Sequence, residues 1–431
     1  MNETAALRIP ARRVLGRKLL LAAAACMAVF GLVMWVLIIA MQAGRMQGQL
    51  IQHDSLQDYM AFYAAGTMVK EGRPGDMYDL GAVAGAQSDL TGLSISVDDS
   101  LPYLNPPFVA VAFAPLTLLS LGTATAVLFG LNVLLVGIGG VGLHRLTGPR
   151  DRAMSAFVWL AYLSAFSIFT LFLQLQLSMF AVLAWLGFIH FQRQGKDAWS
   201  GASLALGLVK PQLIVLPVLL LCLRRRYLAL VPLATVGAVL TGVSIAVTGP
   251  DMVADYPRFL LESTSWEGQG IFAHGMFGWN ALAADLSGDP TPSPFLVAVF
   301  VLPTLGLMFM GWRSTDGDGR EILPLMGLTL TGVLLTNPHL YLPDLILVDA
   351  AIAMAAAHSM ARGGRAGNWA AITVAFWFLM LPLPGMQTVP GGLPFLTVAM
   401  AALFVHFWLE VRHTTAAVTA AQPAATRGLA A

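Results

Sequence analysis

The sequence predicts an all-helical membrane protein with several spans, and three observations carry this prediction. Of its 431 residues, 57% are hydrophobic and only 11% are charged, whereas soluble domains have about 25% charged residues. The apolar stretch 19–41 is long enough to cross a hydrocarbon core of about 30 Å, and further apolar runs recur as far as residue 411. Too little charge remains to cover a soluble surface, so lipid is the expected surrounding.

The N-terminal residues 1–18 resemble the start of a secretory signal, but the apolar stretch that follows continues past Cys26 to span length. A retained first span is therefore predicted. Because basic segments stay in the cytoplasm, residues 1–18 are predicted to be a cytoplasmic tail. Residues 19–412 then form one membrane-embedded domain, and the alanine-rich residues 413–431 form a weakly structured cytoplasmic tail. The basic side chains of the first segment are Arg8, Arg12, Arg13, Arg17 and Lys18.

Eleven further apolar runs predict the other membrane segments, and we expect about 11–13 segments in total. Several runs are too short to cross straight, and backbone breaks inside a membrane are tolerated only where protein or a water-filled cavity surrounds them. The short runs therefore predict a cavity. The runs are 108–121, 123–143, 153–172, 177–191, 201–223, 227–247, 294–312, 322–335, 340–357, 369–381 and 393–411.

Two topologies are compatible with these runs. If 108–121 crosses the membrane, alternation places the basic loops 145–152 and 193–196 outside, against the positive-inside rule. If 108–121 only dips in and 201–223 is a hairpin bent at Lys210-Pro211, both loops return to the cytoplasm. Proline interrupts helical hydrogen bonding, which gives the bend a physical cause. We therefore prefer the second topology.

The charge balance and the cysteines exclude several function classes. Lysine and arginine number 24 against 23 aspartates and glutamates, so no basic excess points to nucleic acid. Cys26 and Cys222 have no neighbouring ligand at metal spacing, so neither a disulfide nor a zinc site is expected. The sequence has no internal repeat and no glycine loop of the kind that binds ATP or NAD.

Both topologies place the acidic segments 42–105 and 249–293 outside. In the segment 42–105, Tyr59, Phe62 and Tyr63 share an apolar stripe at helical spacing, which predicts an interfacial helix with Asp58 in its first turn. Two interpretations of Asp58 remain open. It completes a capping box that begins at Ser55, or it is a general base at the membrane surface.

Three further polar groups lie at the outer ends of apolar runs. Gln176 begins one run, and Lys210 lies inside another, where its charge is costly unless an anion, a watery cavity or snorkelling relieves it. His339 and Asp344 are five residues apart, off one helical face, which argues against a metal pair. A helix start at Asn337-Pro338 explains Asn337 without any function. Asn105-Pro106-Pro107, taken alone, is a turn.

In this order, the residues resemble the polyprenyl-phosphate-sugar-dependent glycosyltransferases of family 87, within the GT-C membrane fold superfamily. The resemblance covers roughly residues 50–350. The family usually has a glycine before the glutamine that begins the span, where this chain has Leu175. The matching positions are Asp58, Tyr63, Gly72, Tyr78, Pro106-Pro107, Pro115-Leu116, Gln176, Lys210-Pro211, Asn337-Pro338-His339, Tyr341 and Asp344.

The resemblance implies a GT-C-like helical bundle that transfers a sugar, mannose or a related hexose or pentose, from a polyprenyl-phosphate carrier. The acceptor is a lipid or glycan on the outer side of the cytoplasmic membrane. Transfer is expected to invert the sugar in one displacement and to need no cofactor or metal. The resemblance assigns Asp58 as the base. Since the leaving phosphate is an anion, the cationic Lys210 with His339 is expected to stabilise the charge that develops on it. The other donor-binding candidates are Gln176, Tyr63 and Asp344.

Two tryptophans of the second outer segment, Trp266 and Trp279, are candidates for stacking an acceptor sugar, although tryptophan is common at interfaces. Two other classes of protein are compatible with some of these features. A secondary transporter or flippase-like carrier also uses broken helices and buried polar residues, but at the bilayer midplane and in paired halves. A scaffold without catalysis predicts that Asp58 is dispensable.

Overall fold

The computed structural model describes residues 8–48, 58–149, 151–263, 276–289, 291–314, 322–381 and 394–421. Within these residues the regular structure is helical, apart from an isolated bridge between Phe277 and Leu340. The helices are α1 Arg8–Met46, α2 Tyr59–Lys70, α3 Leu80–Thr91, α4 Pro107–Phe113, α5 Leu121–Thr147, α6 Arg152–Leu163, α7 Phe166–Gln174, α8 Ser178–Arg193, α9 Asp197–Leu204, α10 Val215–Leu223, α11 Tyr227–Thr248, α12 Pro250–Glu262, α13 Trp279–Ser287, α14 Pro294–Ser314, α15 Ile322–Thr336, α16 Ile346–Ala361, α17 Ala366–Leu379 and α18 Phe395–Ala421.

Six helical segments of the described chain are long and apolar enough to cross a membrane, and α6 with α7, bent by 42°, makes a seventh. The predicted all-helical, multi-span membrane protein is therefore confirmed. Other predicted segments form shorter apolar helices in the described part of the chain, namely Pro107–Leu118, Ile322–Thr336 and Ala366–Leu379. The six segments are Leu21–Met46, Leu121–Thr147, Tyr227–Thr248, Pro294–Ser314, Leu342–Ala361 and Phe395–His413.

The run after the two prolines is a short helix. It comprises α4 and a 3-10 turn over Ala114–Leu118, and it ends before Ser120, whose hydroxyl caps α5. The whole piece is about 18 Å long at 1.5 Å per residue, less than a hydrocarbon core. It packs against α2 so closely that a Cβ on Gly66 would lie 2.9 Å from the backbone of Phe113. One face of α2 therefore packs on this short helix.

Residues 197–223 form a hairpin with Lys210 at its tip. α9 continues as a 3-10 turn to Val209, and Pro211 starts the next turn, which leads into α10. The two ends of the hairpin meet where Arg226 Nη1 lies 3.1 Å from Asp197 Oδ1. The bend predicted at Lys210-Pro211 is thus observed, with its rising arm starting at Asp197.

Small residues let the rising arm of the hairpin pack tightly against α11. A Cβ on Gly201 would overlap the backbone carbonyl of Ala229, so the two helices touch through their main chains. Close approach through glycine is the usual way in which membrane helices gain packing energy, since lipid supplies no hydrophobic driving force. The position of the hairpin, and of Lys210 with it, depends on this contact.

Gly201→Ala is expected to lower the free energy of unfolding by about 1–3 kcal/mol, because the added methyl group must push backbone from backbone. Gly130→Ala is the matched control, since a Cβ at this glycine of α5 meets nothing within 4 Å. Thermal unfolding of the two purified variants in detergent measures the difference. Equal melting temperatures would show that α9 and α11 do not depend on this contact.

Candidate functional site

Broken helices surround a cavity of about 300 Å³ at one end of the bundle. Its walls come from five parts of the chain: the start of α2, the segment before α4, the end of α7 with its junction to α8, the tip of the hairpin, and the segment that joins α15 to α16. The polar residues that line it are Asp58, Asn105, Thr170, Gln174, Gln176, Lys210, Gln212, His339, Tyr341 and Asp344. Residues far apart in the sequence therefore share one polar space.

Asp58 directly precedes α2 and is its N-cap by position. Its side chain accepts no hydrogen bond from the backbone of α2. Instead, Gln176 Nε2 donates to Asp58 Oδ2, and the Asp58 amide donates to Gln174 Oε1 at 3.3 Å. Ser55, the other half of the predicted capping box, lies outside the described residues. Among the described residues, the carboxylate of Asp58 lines the cavity and is held by Gln176.

Burial raises the pKa of Asp58, because the surrounding protein disfavours the charged carboxylate. The hydrogen bond from Gln176 and the positive charge of Lys210 oppose this shift, and the negative charge of Asp344 adds to it. A carboxylate with a raised pKa is a better proton acceptor than an exposed aspartate. The environment of Asp58 therefore suits a general base.

The junction of α7 and α8 delivers two glutamines to Asp58. α7 ends at Gln174, and Leu175 then adopts a left-handed conformation with φ 49° and ψ 44°. Such a conformation is unfavourable for residues with a Cβ, and glycine is its usual occupant. Leu175 tolerates it with a fully buried side chain. Its left-handed backbone gives a physical reason for the glycine that family 87 usually has here.

Lys210 is paired inside the protein and does not snorkel to water. Its Nζ donates to Asp344 Oδ1 at 2.7 Å and to Ser178 Oγ at 3.0 Å. The Ser178 hydroxyl in turn donates to Asp344 Oδ1 at 2.6 Å. The side chains of Lys210 and Asp344 are only 11% and 3% exposed. Burial of this kind requires a charge partner, which Asp344 supplies.

Asn105 fixes the backbone next to Lys210. Its Nδ2 donates to the carbonyl of Val209 at 2.9 Å, while the Tyr78 hydroxyl donates to the Asn105 carbonyl. Asn105 also lines the cavity. Sequence reasoning interpreted it only as part of a turn, because nothing in the sequence connects it with a lysine 105 positions later. Its role depends on a tertiary contact.

The predicted helix start at Asn337 is wrong. α15 ends at Thr336, and the next helical turn begins only at Leu342. Asn337 Oδ1 instead accepts a hydrogen bond from the His339 amide at 3.1 Å, which is local turn chemistry. The Leu340 carbonyl then bonds to the amide of Phe277, which holds the segment extended. His339 can therefore line the cavity.

Burial opposes a positive charge on His339, the charge that is expected of it beside Lys210 from the sequence. The side chain is 6% exposed, and burial lowers its pKa to about 4. Its Nε2 lies 3.2 Å from Ser263 Oγ. Among the described residues that line the cavity, Lys210 is therefore the formal cation, opposite the carboxyl groups of Asp58 and Asp344.

The aromatic candidates lie elsewhere. Tyr63 is buried and donates to the Leu119 carbonyl at 2.8 Å. In this structure it therefore holds α2 against the end of the short helix Pro107–Leu118 and does not line the cavity. Trp279 donates to Thr304 Oγ1 at 2.8 Å and stacks on Phe300, which anchors α13 on α14. Trp266 lies outside the described residues. Gln176, Lys210, His339 and Asp344 are the predicted residues that join Asp58 at the cavity.

The titratable side chains are not grouped as a metal site requires. In the part of the chain that the structure describes, no three His, Cys, Asp or Glu side chains lie together as ligands. Independence of metals and cofactors stays a prediction from the sequence.

Comparison with known proteins gives one match. A protein-family model described as Glycosyltransferase family 87 matches residues 103–343, more than half of the chain. The matched region includes Gln176, Lys210 and His339, whereas Asp58 precedes it and Asp344 directly follows it. No curated protein and no solved structure matches.

Proposed function

We propose that this chain, which belongs to glycosyltransferase family 87, moves a sugar from a polyprenyl-phosphate carrier to a lipid or glycan acceptor. The observation that carries this proposal is the cavity in which the carboxylate of Asp58 and the ammonium of Lys210 face one space. A proton acceptor and a cation are the two groups that sugar transfer from a phosphate carrier needs. No nucleotide is required, since a lipid phosphate is itself a stable leaving anion.

The transfer is a single displacement. An acceptor hydroxyl oxygen attacks the anomeric carbon while the bond from that carbon to the phosphate oxygen breaks, and the phosphate keeps the electron pair. The hydroxyl proton passes to Asp58. Gln176 holds the carboxylate through its hydrogen bond to Oδ2, which positions it for the proton. Attack opposite to the leaving group inverts the anomeric centre.

Lys210 stabilises the charge that develops on the leaving phosphate. An ammonium group has three donors, and Ser178 and Asp344 take two of them. Among the described residues no side chain takes the third, which is available for a phosphate oxygen. Asp344 thus keeps the ammonium oriented while no donor is bound, and it shares that ammonium once the phosphate enters. Such preorganised charge is usually the largest contribution to catalysis of this kind.

The cavity faces the outer side of the cytoplasmic membrane. The helix ends remote from the cavity carry basic residues, and basic helix ends stay in the cytoplasm. The segments around the cavity carry mostly acidic residues. The basic residues at the remote ends are Arg145, Arg152, Arg193, Lys196, Arg225, Arg313, Arg362 and Arg412. A polyprenyl-linked mannose or related sugar, presented on that side, is the proposed donor.

Asp58→Asn is expected to lower the rate of transfer by about 10²–10⁴, which is the usual contribution of a general base. Asparagine keeps the size of aspartate and much of its ability to cap a helix, so the fold should persist. The measurement is transfer of radiolabelled sugar by the purified variant in detergent.

Asp79→Asn is the matched control. Asp79 is the N-cap of α3, where its Oδ1 accepts from the Ala82 amide at 2.8 Å, and it does not line the cavity. This variant should keep nearly full transfer. Residual activity of the Asp58 variant above about a tenth of the wild type would remove Asp58 from the role of base, since that loss is below the expected range.

Lys210→Gln is expected to lower kcat/KM for the lipid-linked donor by about 10²-fold, because a neutral amide cannot balance the phosphate charge. The substitution also leaves Asp344 buried without its cation, which destabilises the fold. The double variant Lys210→Gln with Asp344→Asn removes both charges. It should regain thermal stability and still use the donor poorly.

A double variant that regains both stability and donor use would contradict the phosphate role of Lys210. The pair would then serve the fold alone. Unfolding temperature and donor kinetics, measured on the same preparations, separate these outcomes.

Single cysteines test the side of the membrane, in a background where Cys26 and Cys222 are replaced by alanine. Asp89→Cys, near the cavity end, should react with a membrane-impermeant thiol reagent applied to intact cells. Lys196→Cys, at the remote end, should react only after the cells are permeabilised. Both positions are exposed in the structure. The reverse pattern would place the cavity on the cytoplasmic side.

A further inference from the structure

A buried serine beside the cavity takes no part in the proposed transfer. Ser263 directly follows α12 and is fully buried. Its Oγ has two close neighbours: the Leu260 carbonyl at 2.8 Å and His339 Nε2 at 3.2 Å. His339 lines the cavity, whereas Ser263 does not. Ser263 can therefore act on the cavity only through the histidine.

The direction of the bond between Ser263 and His339 follows from a count of protons. A serine hydroxyl has one proton and can donate it once. Leu260 lies in the last turn of α12, where carbonyls lack partners within the helix, and the Ser263 amide bonds to the carbonyls of Leu261 and Phe259 instead. The hydroxyl proton satisfies the Leu260 carbonyl at the shorter of the two distances. Toward His339 the serine oxygen then presents a lone pair.

A lone pair on Ser263 Oγ requires a proton on His339 Nε2. Because burial lowers the pKa of His339 to about 4, the ring is neutral near pH 7 and carries a single proton. With that proton on Nε2, Nδ1 carries a lone pair. Nδ1 is buried and has no hydrogen-bond partner among the described residues. An unpaired buried acceptor is costly unless a ligand supplies a donor.

We propose that Ser263 is a positioning residue that holds His339 in its Nε2–H tautomer, so that His339 Nδ1 accepts a hydrogen bond from a hydroxyl group of the bound sugar or acceptor. This inference rests on the proposed sugar transfer. The proposal also says which part of the substrates lies next to His339 and which lies next to Lys210. A lone pair repels phosphate oxygens, so His339 contacts the hydroxyl-bearing part of the substrates, while Lys210 contacts the phosphate.

The aromatic side chains around α12 explain how Ser263 is kept in place. Phe259 packs against Tyr78 with ring centroids 4.7 Å apart, and Tyr256 lies 6.0 Å from the same ring. Tyr78 is also the residue that donates to the Asn105 carbonyl. One tyrosine therefore connects the helix that carries Ser263 with the asparagine beside Lys210. Tyr78 thus helps to position both Ser263, next to His339, and the backbone next to Lys210.

The tautomer can be observed without any assay of activity. Nitrogen-15 NMR of the full-length protein, labelled only on histidine and reconstituted in lipid, distinguishes protonated from unprotonated ring nitrogens, and His339→Asn identifies the signals of His339. We expect a protonated Nε2 and an unprotonated Nδ1 at pH 7. In Ser263→Ala, the resonances should shift toward a mixture of tautomers. A protonated Nδ1 in the wild type would overturn the proposal.

Kinetics test the consequence of the tautomer. Ser263→Ala should lower kcat about tenfold, the usual effect of leaving one buried polar group without its partner, and should leave KM for the lipid-linked donor unchanged. Ser263→Thr keeps the hydroxyl and should restore most of kcat. Ser287→Ala is the matched control, since Ser287 Oγ donates to the Ala284 carbonyl in the same way at the end of α13, away from the cavity.

The two measurements separate this inference from the proposed function. A wild-type protein with the expected tautomer and no detectable transfer from any polyprenyl-phosphate sugar would contradict the function and the substrate role of His339. Wild-type transfer with an unchanged tautomer and unchanged kcat in Ser263→Ala would contradict the positioning role alone. If Ser263→Ala does not fold, the tautomer of the wild-type His339 and the kcat of Ser263→Thr still test the positioning role.

Discussion

The pair formed by Lys210 and Asp344 is the interaction on which the rest of the site depends. An ammonium group in a membrane protein is tolerated only beside an opposite charge or in a polar cavity, and here both conditions hold. Three chain segments must meet to satisfy it: the tip of the hairpin, the start of α8 at Ser178, and the turn that carries Asp344. Removal of either charged partner would leave the other charge buried alone, which is among the most destabilising changes in a protein.

Short and broken helices make this meeting place. A continuous span keeps its backbone groups in its own hydrogen bonds and presents side chains only along its length. Where α7 stops at Gln174 and α15 at Thr336, the chain turns and places polar side chains side by side. The break after Gln174 is covered by protein, since Leu175 and Leu177 belong to the same buried cluster as Tyr59 and Phe62 of α2.

The charges divide the cavity into two functional halves. Lys210 and Asp344 lie in one half with Ser178, while Asp58 is held by Gln176 and feels both charges through its pKa. Burial lowers the pKa of His339 to about 4, and we propose that this neutral ring meets a hydroxyl instead of a phosphate. In the proposed transfer, each group of the donor and the acceptor then has its own partner in one cavity.

The sequence by itself determined the class of protein, the positions of the apolar segments and the bend at Lys210-Pro211. It also singled out Asp58, Gln176, Lys210, His339 and Asp344, which line one cavity. These depend on hydrophobicity, on proline and on the cost of charge in an apolar segment, all of which are local properties. Only the tertiary structure decided that Lys210 is paired with Asp344, that Tyr63 is a packing residue, that Asn105 lines the cavity and that Ser263 contacts His339. Hydrogen bonds between positions as far apart as 105 and 209 leave no pattern in the sequence, because they exist only once packed helices bring those positions together.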